Sequence, residues 1–177
     1  TPNLEWNYTT GGWVWSSPAI GDVDGDGELE IVVGSHDDNV YCLSGGGSLE
    51  WKYKTGGFVH SSPAIGDVDG DGELEIVVGS YDYNVYCLSG DGDLEWKYKT
   101  DFLMLSSPAI GDVDSDGELE IIAEVEYCVY CLSGYGDLEW KYGTGAWVHF
   151  SPALGDVDGD GELEIIVGSK YVKNTRL

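Results

Sequence analysis

Asp22-Val23-Asp24-Gly25-Asp26-Gly27-Glu28-Leu29-Glu30 is the first of four acidic segments in this chain. The other three begin at Asp67, Asp112 and Asp156, so the spacings are 45, 45 and 44 residues. One segment therefore falls in each of four nearly identical units. A regular period of this length predicts a repeat architecture in which each unit is one supersecondary structure.

The acidic segments have the residue pattern of a cation-binding loop. Carboxylates at positions 1, 3 and 5, with glycine at position 6, direct several oxygens towards one centre, as Ca²⁺ requires. We assign the carboxylates at positions 1, 3, 5 and 9 and the backbone carbonyl at position 7 as ligands, with water completing the shell. About four Ca²⁺ ions are expected. The predicted metal residues are Asp22, Asp24, Asp26, Glu28, Glu30, Asp67, Asp69, Asp71, Glu73, Glu75, Asp112, Asp114, Asp116, Glu118, Glu120, Asp156, Asp158, Asp160, Glu162 and Glu164.

This loop is not an EF-hand, because Val33 stands at position 12 and a strand-like run at 29–34 replaces the second helix. The third loop carries Ser115 where the others have glycine, at a position without a ligand. The alternative interpretation is a solvated acidic turn that binds no metal. Crowding argues against it, since the loops hold 20 of the 33 acidic residues and like charges in close contact repel. Metal binding and stability should therefore be linked.

The composition limits the classes of partner. The chain has 177 residues, a net charge of −25 and only eight lysines and arginines. Four Ca²⁺ ions would add eight positive charges and leave −17. Such a surface excludes phosphate-tracking nucleic-acid binding and a basic membrane patch. No apolar run reaches the length of a membrane span, and we expect no targeting segment.

Short strands separated by turns fill each unit, and no helical period appears. In the second unit we predict strands at 62–66, 74–79, 84–89 and 94–98. Four short strands per unit of this period predict a β-propeller. We expect one domain over 1–177, with repeats at about 13–57, 58–102, 103–146, and 147–177 plus 1–12. A tryptophan column is predicted to pack between blades: Trp6, Trp51, Trp96 and Trp140.

The two ends of the chain predict how the ring closes. Residues 4–8 match a lone fourth strand, and residues 170–177 fall where the third strand of the last unit belongs. If residues 4–8 pair with the last blade, four four-stranded blades close within one chain. We favour this arrangement because its effective concentration is high. Pairing with a neighbouring chain would instead give a larger ring or a polymer, which is the structural-subunit alternative.

The cysteines do not predict a disulfide framework. Cys42, Cys87 and Cys131 occupy one column of the repeats and are expected to be small buried hydrophobes. Cys128 and Cys131 are three residues apart, roughly 10 Å in a strand, which is beyond disulfide reach. The role of Cys128 stays open.

The units differ most in turns that strand order places opposite the acidic loops. These turns are rich in aromatic residues, and the predicted contact face comprises Trp13, Trp15, Phe58, His60, Trp147 and His149. Two interpretations stay open. The residues either fill the central channel and pack between blades, or they contact a protein or glycan partner.

No convergent set of catalytic residues is evident, so we expect a protein without enzymatic activity. All three histidines lie in variable turns. A polysaccharide-cleaving enzyme is the alternative, and a hydrolase would need two carboxylates on the aromatic face. The candidates are Asp37, Asp38, Asp82, Asp101, Glu124 and Glu126.

The acidic loop followed by Leu-Glu-Ile-Val-Val-Gly-Ser resembles the FG-GAP repeat, the calcium-loop blade of integrin alpha-chain propellers. The resemblance covers all four units and implies calcium at the loops, an extracellular or cell-surface location, and a role in adhesion or recognition. The second half of each unit, as in 85–98, is similar to blades of pyrroloquinoline-quinone propellers. Nothing matches their cofactor site, so this second resemblance implies the blade alone.

Overall fold

A computed structural model of the chain describes residues 3–148 and 150–169. Within these ranges all regular structure is β-strand. No helix occurs there, and hence none that is long and apolar enough to cross a membrane. The predicted all-β class is confirmed.

Four antiparallel sheets follow one another along the chain, and consecutive strands are neighbours in every sheet. The first sheet contains β1 (Ala19–Gly21), β2 (Glu30–Gly34), β3 (Asn39–Leu43) and β4 (Leu49–Lys54). The second contains β5 (Ala64–Gly66), β6 (Glu75–Gly79), β7 (Asn84–Leu88) and β8 (Leu94–Lys99). The third contains β9 (Ala109–Gly111), β10 (Glu120–Val125), β11 (Cys128–Leu132) and β12 (Leu138–Gly143). The fourth contains β13 (Ala153–Gly155) and β14 (Glu164–Ile166) among the described residues.

The strands predicted in the second unit are confirmed as β5 to β8, with small shifts at their ends. In β8, Trp96 and Tyr98 are half-buried while Glu95 and Lys97 are exposed, the alternation of a half-buried strand, although Leu94 at its start is 40% exposed. The predicted third strand of the last unit falls within 170–177, outside the described residues.

The first strands of the units are neighbours, since β1 contacts β5, β5 contacts β9 and β9 contacts β13. A ladder of serines links the segments before them. The amide of Ser17 donates to Ser62 Oγ at 2.9 Å, that of Ser62 to Ser107 Oγ at 2.8 Å, and that of Ser107 to Ser151 Oγ at 3.0 Å. Each unit therefore repeats the same step relative to the one before it.

Trp51 and Trp96 of the fourth strands join successive units, as predicted for this column, whereas Trp140 is 38% exposed among the described residues. Trp51 Nε1 donates to the Gly90 carbonyl at 2.7 Å, and Trp96 Nε1 donates to the Gly134 carbonyl at 2.7 Å. The Trp51 ring lies so close to Gly92 that a Cβ there would be 2.5 Å from it, and Gly92 has a φ of +83°. Only glycine meets both conditions without strain.

The N-terminal segment has the packing of a fourth strand but not its hydrogen bonding. Residues 4–8 form no strand, so their predicted pairing with the last blade is not seen among the described residues. Trp6 Nε1 nevertheless donates to the Gly45 carbonyl at 3.0 Å, and the Tyr8 and Tyr41 rings are 5.8 Å apart. These contacts match those of Trp51 with Gly90 and of the Tyr53–Tyr86 pair at 5.9 Å. Side-chain packing therefore holds the segment against the first sheet.

Apolar side chains fill the spaces between successive sheets. One core cluster joins the first and second sheets, one joins the second and third, and one joins the third and fourth. Cys42, Cys87 and Cys131 are fully buried in these clusters, which confirms their predicted role. All four cysteines are free thiols, and Cys128 is half-buried.

Glu124 is a buried acid between the third and fourth sheets. In the first two sheets the same position is Gly34 or Gly79, where a Cβ would lie about 2.5 Å from Val59 or 2.4 Å from Met104. Glu124 is 1% exposed, and neither carboxyl oxygen has a hydrogen-bond partner among residues 3–148 and 150–169. Burial raises its pKa to about 8. The folded protein therefore holds a proton that the unfolded chain releases above pH 4.5, the ordinary pKa.

We predict that Glu124→Gln removes this pH dependence. Because the folded-state pKa is raised, Glu124 costs stability progressively as pH rises from 4.5 to about 8. The variant should exceed wild type by roughly 2–4 kcal/mol at alkaline pH and match it at acidic pH. Urea unfolding across this pH range, in calcium, measures the difference. Glu5→Gln, at an exposed site, is the control and should show no such trend. A constant offset at every pH would contradict the assignment.

We predict that Gly90→Ala disrupts the contact between the first two units. An alanine Cβ at this position would lie 1.7 Å from the Val23 carbonyl oxygen, which belongs to the backbone of the first acidic loop. We expect a loss of about 2–3 kcal/mol in the free energy of unfolding. The control is Gly46→Ala, whose Cβ would first meet Ser44 Oγ at 3.8 Å. Equal stability of the two variants would show that this contact is not tight.

Candidate metal centres and aromatic face

Each acidic loop connects the first two strands of its sheet and folds around its own aspartates. In the first loop the amide of Asp26 donates to Asp24 Oδ1 at 3.1 Å, and the amide of Gly27 donates to Asp22 Oδ2 at 3.1 Å. Gly25 and Gly27 have φ values of +72° and +91°, which glycine adopts easily. In the third loop Ser115 takes a φ of +63° at the position of Gly25. The loop conformation is therefore kept with serine in that position.

The glutamate at position 9 connects each loop to the second strand. Glu30 is 1% exposed, and its Oε2 accepts a hydrogen bond from the Val23 amide at 2.9 Å. The same bond recurs at Glu75, Glu120 and Glu164, each at 2.8 Å. Burial raises the pKa of Glu75 to about 7, and neighbouring carboxylates add to this effect while the Val68 amide opposes it. A divalent cation would reverse this shift by favouring the charged form.

The structure brings three predicted ligands together in each loop. One oxygen from each of the three side chains lies within 4.8 Å of the others. The four convergent sets are Asp22, Asp24 and Glu30; Asp67, Asp69 and Asp71; Asp112, Asp114 and Glu120; and Asp156, Asp158 and Glu164. The remaining predicted side chains lie in the loops but outside these sets: Asp26, Glu28, Glu73, Glu75, Asp116, Glu118, Asp160 and Glu162.

Two oxygens in the loops indicate that the residues suit a bound cation. Asp22 Oδ1 and Asp67 Oδ1 are buried and have no hydrogen-bond partner within the described part of the chain. A buried carboxylate oxygen without a partner is costly unless something else satisfies it. Hard cations that prefer oxygen ligands, Ca²⁺ among them, fit this donor set.

The turns that carry the predicted contact face lie at the opposite end from the acidic loops. Three of their middle residues, Val59, Met104 and Val148, are at most 2% exposed, and Val59 and Met104 belong to the core clusters between sheets. The middle residue of the first turn, Val14, is 47% exposed. The flanking residues Trp13, Trp15 and Phe58 are exposed, whereas His60 is half-buried. In the second turn the middle residue therefore fills the core while Phe58 stays at the surface. His149 lies outside the described residues.

Six aromatic rings from the first two units are in contact at this end, and we call them the six-ring cluster: Trp13, Trp15, His36, Phe58, His60 and Tyr81. His36 lies at the centre, 5.1 Å from Trp15 and 4.9 Å from Phe58 between ring centroids. His36 and Tyr81 were not in the predicted face. Their position in the variable turns between the second and third strands was the available signal. Trp147 belongs to a second group with Phe102 and Tyr127.

The carboxylates considered for hydrolysis lie in different surroundings. Asp37 and Asp82 accept hydrogen bonds from the Tyr41 and Tyr86 hydroxyls, both at 2.5 Å. Asp101 pairs with Lys141 and also accepts from Tyr130. Glu124 is buried between sheets, as described above. Asp38 and Glu126 are half-buried turn residues with φ values of +70° and +45°.

Comparison with solved structures supports a propeller-type fold. The V. cholerae biofilm matrix protein Bap1 has 26% identity and a TM-score of 0.72, over 93% of this chain and 31% of Bap1. BamB from Moraxella catarrhalis has 16% identity and a TM-score of 0.66, over 92% of this chain and 46% of BamB. BBS1N, in complex with ARL6DN, has 12% identity and a TM-score of 0.67, over 89% of this chain and 48% of BBS1N. The chain thus spans about a third to a half of these proteins.

Family comparison identifies the repeat itself. A search of curated proteins found no significant match. The model of the FG-GAP-like repeat matches residues 22–78 and 67–123, and each match begins at an acidic loop and extends through the second strand of the next unit. The two matches together cover more than half of the chain. This protein belongs to the FG-GAP-like repeat family.

Proposed function

We propose that this chain is a calcium-binding propeller without catalytic activity that acts outside the cell in recognition, adhesion or assembly. The observation that carries the calcium part is the recurrence of convergent carboxylates in all four loops. The orphaned oxygens of Asp22 and Asp67 add to it, because Ca²⁺ would supply the missing partner. Calcium would act structurally, by neutralising charge that otherwise opposes folding.

Two observations support the recognition part of the proposal. Exposed aromatic side chains cluster at the end opposite the loops, and such patches are typical of interaction surfaces. Bap1, which is similar to this chain in fold, is a biofilm matrix protein. An extracellular location agrees with this similarity and with a function in adhesion.

Ring closure is also part of the proposal. We infer that residues 4–8 supply the fourth strand of the last sheet within the same chain, so that four blades close. The packing of Trp6 and Tyr8 supports a fourth-strand position for this segment. The alternative is exchange of the segment with a neighbouring chain, which would make this protein a structural subunit of a larger ring or polymer.

We predict that the calcium-free protein takes up about four Ca²⁺ ions in a calorimetric titration. Saturation should raise the melting temperature by at least ~10 °C, since each site adds ~2.7 kcal/mol at a hundredfold excess over its dissociation constant. Asp22→Asn should remove one site, because it weakens the first set of convergent oxygens. Asp137→Asn changes an exposed acid outside the loops and is the control. Absence of both binding heat and a thermal shift would refute the calcium assignment.

We predict that the chain is a monomer of 19.2 kDa in light scattering, with and without calcium. In dilute protein, backbone amides of residues 4–8 should exchange with deuterium more slowly than those of an exposed loop, because closure pairs them in a sheet. A dimer or polymer would favour strand exchange between chains. A monomer with fast exchange at 4–8 would show that the ring is not closed by this segment.

A further inference from the structure

The six-ring cluster has the properties of a binding site for a positively charged group. We propose that it binds a cationic nitrogen group of a partner, either a lysine or arginine side chain or a quaternary ammonium group. The inference rests on the proposed recognition function and names the chemistry of the partner.

Accessible indole rings form the outer part of the cluster. Trp13 is 71% exposed and Trp15 is 60% exposed, and their rings are parallel within 4° with centroids 6.1 Å apart. Phe58 adds a third exposed ring. Tryptophan has the strongest attraction for a cation over its face among the aromatic side chains. Several ring faces in one patch therefore favour a cationic group over a neutral one.

His36 supplies a polar atom inside the cluster. Its imidazole contacts the rings of Trp13, Trp15, Phe58, His60 and Tyr81. Nε2 of His36 is buried and has no hydrogen-bond partner within the described residues. In the tautomer with its proton on Nδ1, this nitrogen is an acceptor. Its uncompensated lone pair adds partial negative charge beneath the ring faces, which strengthens their attraction for a cation.

Two carboxylates neighbour the cluster in the chain, and the nearest lysine in sequence, Lys54, lies at the end of β4. Asp37 follows His36 in the chain, and Asp82 follows Tyr81. Partial burial opposes ionisation of Asp82, but hydrogen bonds, chiefly from the Tyr86 hydroxyl, lower its pKa. The pKa of Asp37 is lowered in the same way, through Tyr41. Both carboxylates therefore stay ionised at neutral pH, while the turns that carry the six rings contain no lysine or arginine.

The second histidine of the cluster does not oppose a cation at neutral pH. Burial lowers the pKa of His60, and the nearby His36 adds to this effect while a backbone hydrogen bond at Leu105 opposes it. The imidazole of His60 is therefore neutral at pH 7. Its ring lies 5.2 Å from Trp15 and 6.0 Å from Tyr81, so it completes the wall of the cluster.

Choline and its uncharged isostere, in which a tert-butyl group replaces trimethylammonium, test the charge requirement. Calcium-saturated protein is titrated with each compound. The buffer contains ~0.15 M salt, because salt screens non-specific attraction of choline to the acidic surface. Indole N–H signals in NMR report binding at Trp13 and Trp15. We expect choline to bind about tenfold more tightly than the isostere, since ~1.4 kcal/mol of cation–π attraction corresponds to tenfold.

Variants locate the site. Trp15→Ala should weaken choline binding about tenfold, and Trp15→Phe should weaken it less because a ring remains. Tyr135→Ala removes a 62% exposed aromatic at the end that bears the acidic loops and should have no effect. Melting temperatures in calcium show whether each variant is folded. Equal binding of choline and the isostere, or binding that ignores Trp15, would overturn the proposal.

Larger probes separate the sources of the cation. A lysine-rich peptide that competes with choline would indicate a basic protein partner, whereas no competition would indicate a small ammonium ligand. A neutral oligosaccharide that binds through Trp15 when choline does not would overturn the cationic inference and leave the recognition function intact. If neither choline, the peptide nor the oligosaccharide perturbs these indoles, both the inference and the proposed role of this face fail.

Discussion

The stability of the folded state depends on how the electrostatic repulsion among the clustered loop carboxylates is offset. Each loop gathers oxygens within 4.8 Å, and the glutamate at position 9 is almost fully buried in the first three units. Without compensation, such a group shifts towards its neutral form, as the raised pKa of Glu75 shows. The loops also contact the next unit, since the Val23 and Val68 carbonyls lie against Gly90 and Gly134. Charge neutralisation in one loop is therefore coupled to packing between units.

The same few contacts repeat from unit to unit and hold the sheets in sequence. A tryptophan N–H donates a hydrogen bond to a glycine carbonyl of the next unit, two tyrosine rings are in contact, and a serine amide donates to a serine hydroxyl. These contacts involve residues at fixed positions in every unit, which leaves other positions free to diverge. Divergence is concentrated in the turns opposite the acidic loops, which combine core residues such as Val59 and Met104 with exposed rings such as Trp13 and Phe58. The fold can therefore keep its core while the exposed end changes.

Much of the local structure was predictable because four aligned copies give the same signal four times. Strand positions and the convergence of the aspartates at loop positions 1 and 3 follow from short-range patterns, and both are seen in the structure. The state of residues 4–8 was not predictable in this way. Their side chains pack like those of the other fourth strands. Strand pairing, however, depends on the rotation between the first and last units, which no local sequence pattern specifies. The variable turn that carries His36 indicated the end of the molecule where it lies, but its central place among five other rings depends on how neighbouring units pack.

The two ends of the molecule use negative charge differently. At the loop end the carboxylates converge, and a small hard cation can enter each centre. At the aromatic end Asp37 and Asp82 are each engaged by a tyrosine hydroxyl and a backbone amide, so their charge is fixed but offers no convergent site for a metal. Four Ca²⁺ ions would still leave a net charge of −17. Filling the metal centres would leave Asp37 and Asp82 uncompensated at the aromatic end, where the proposed site would attract organic cations through exposed ring faces and not through a cage of oxygens.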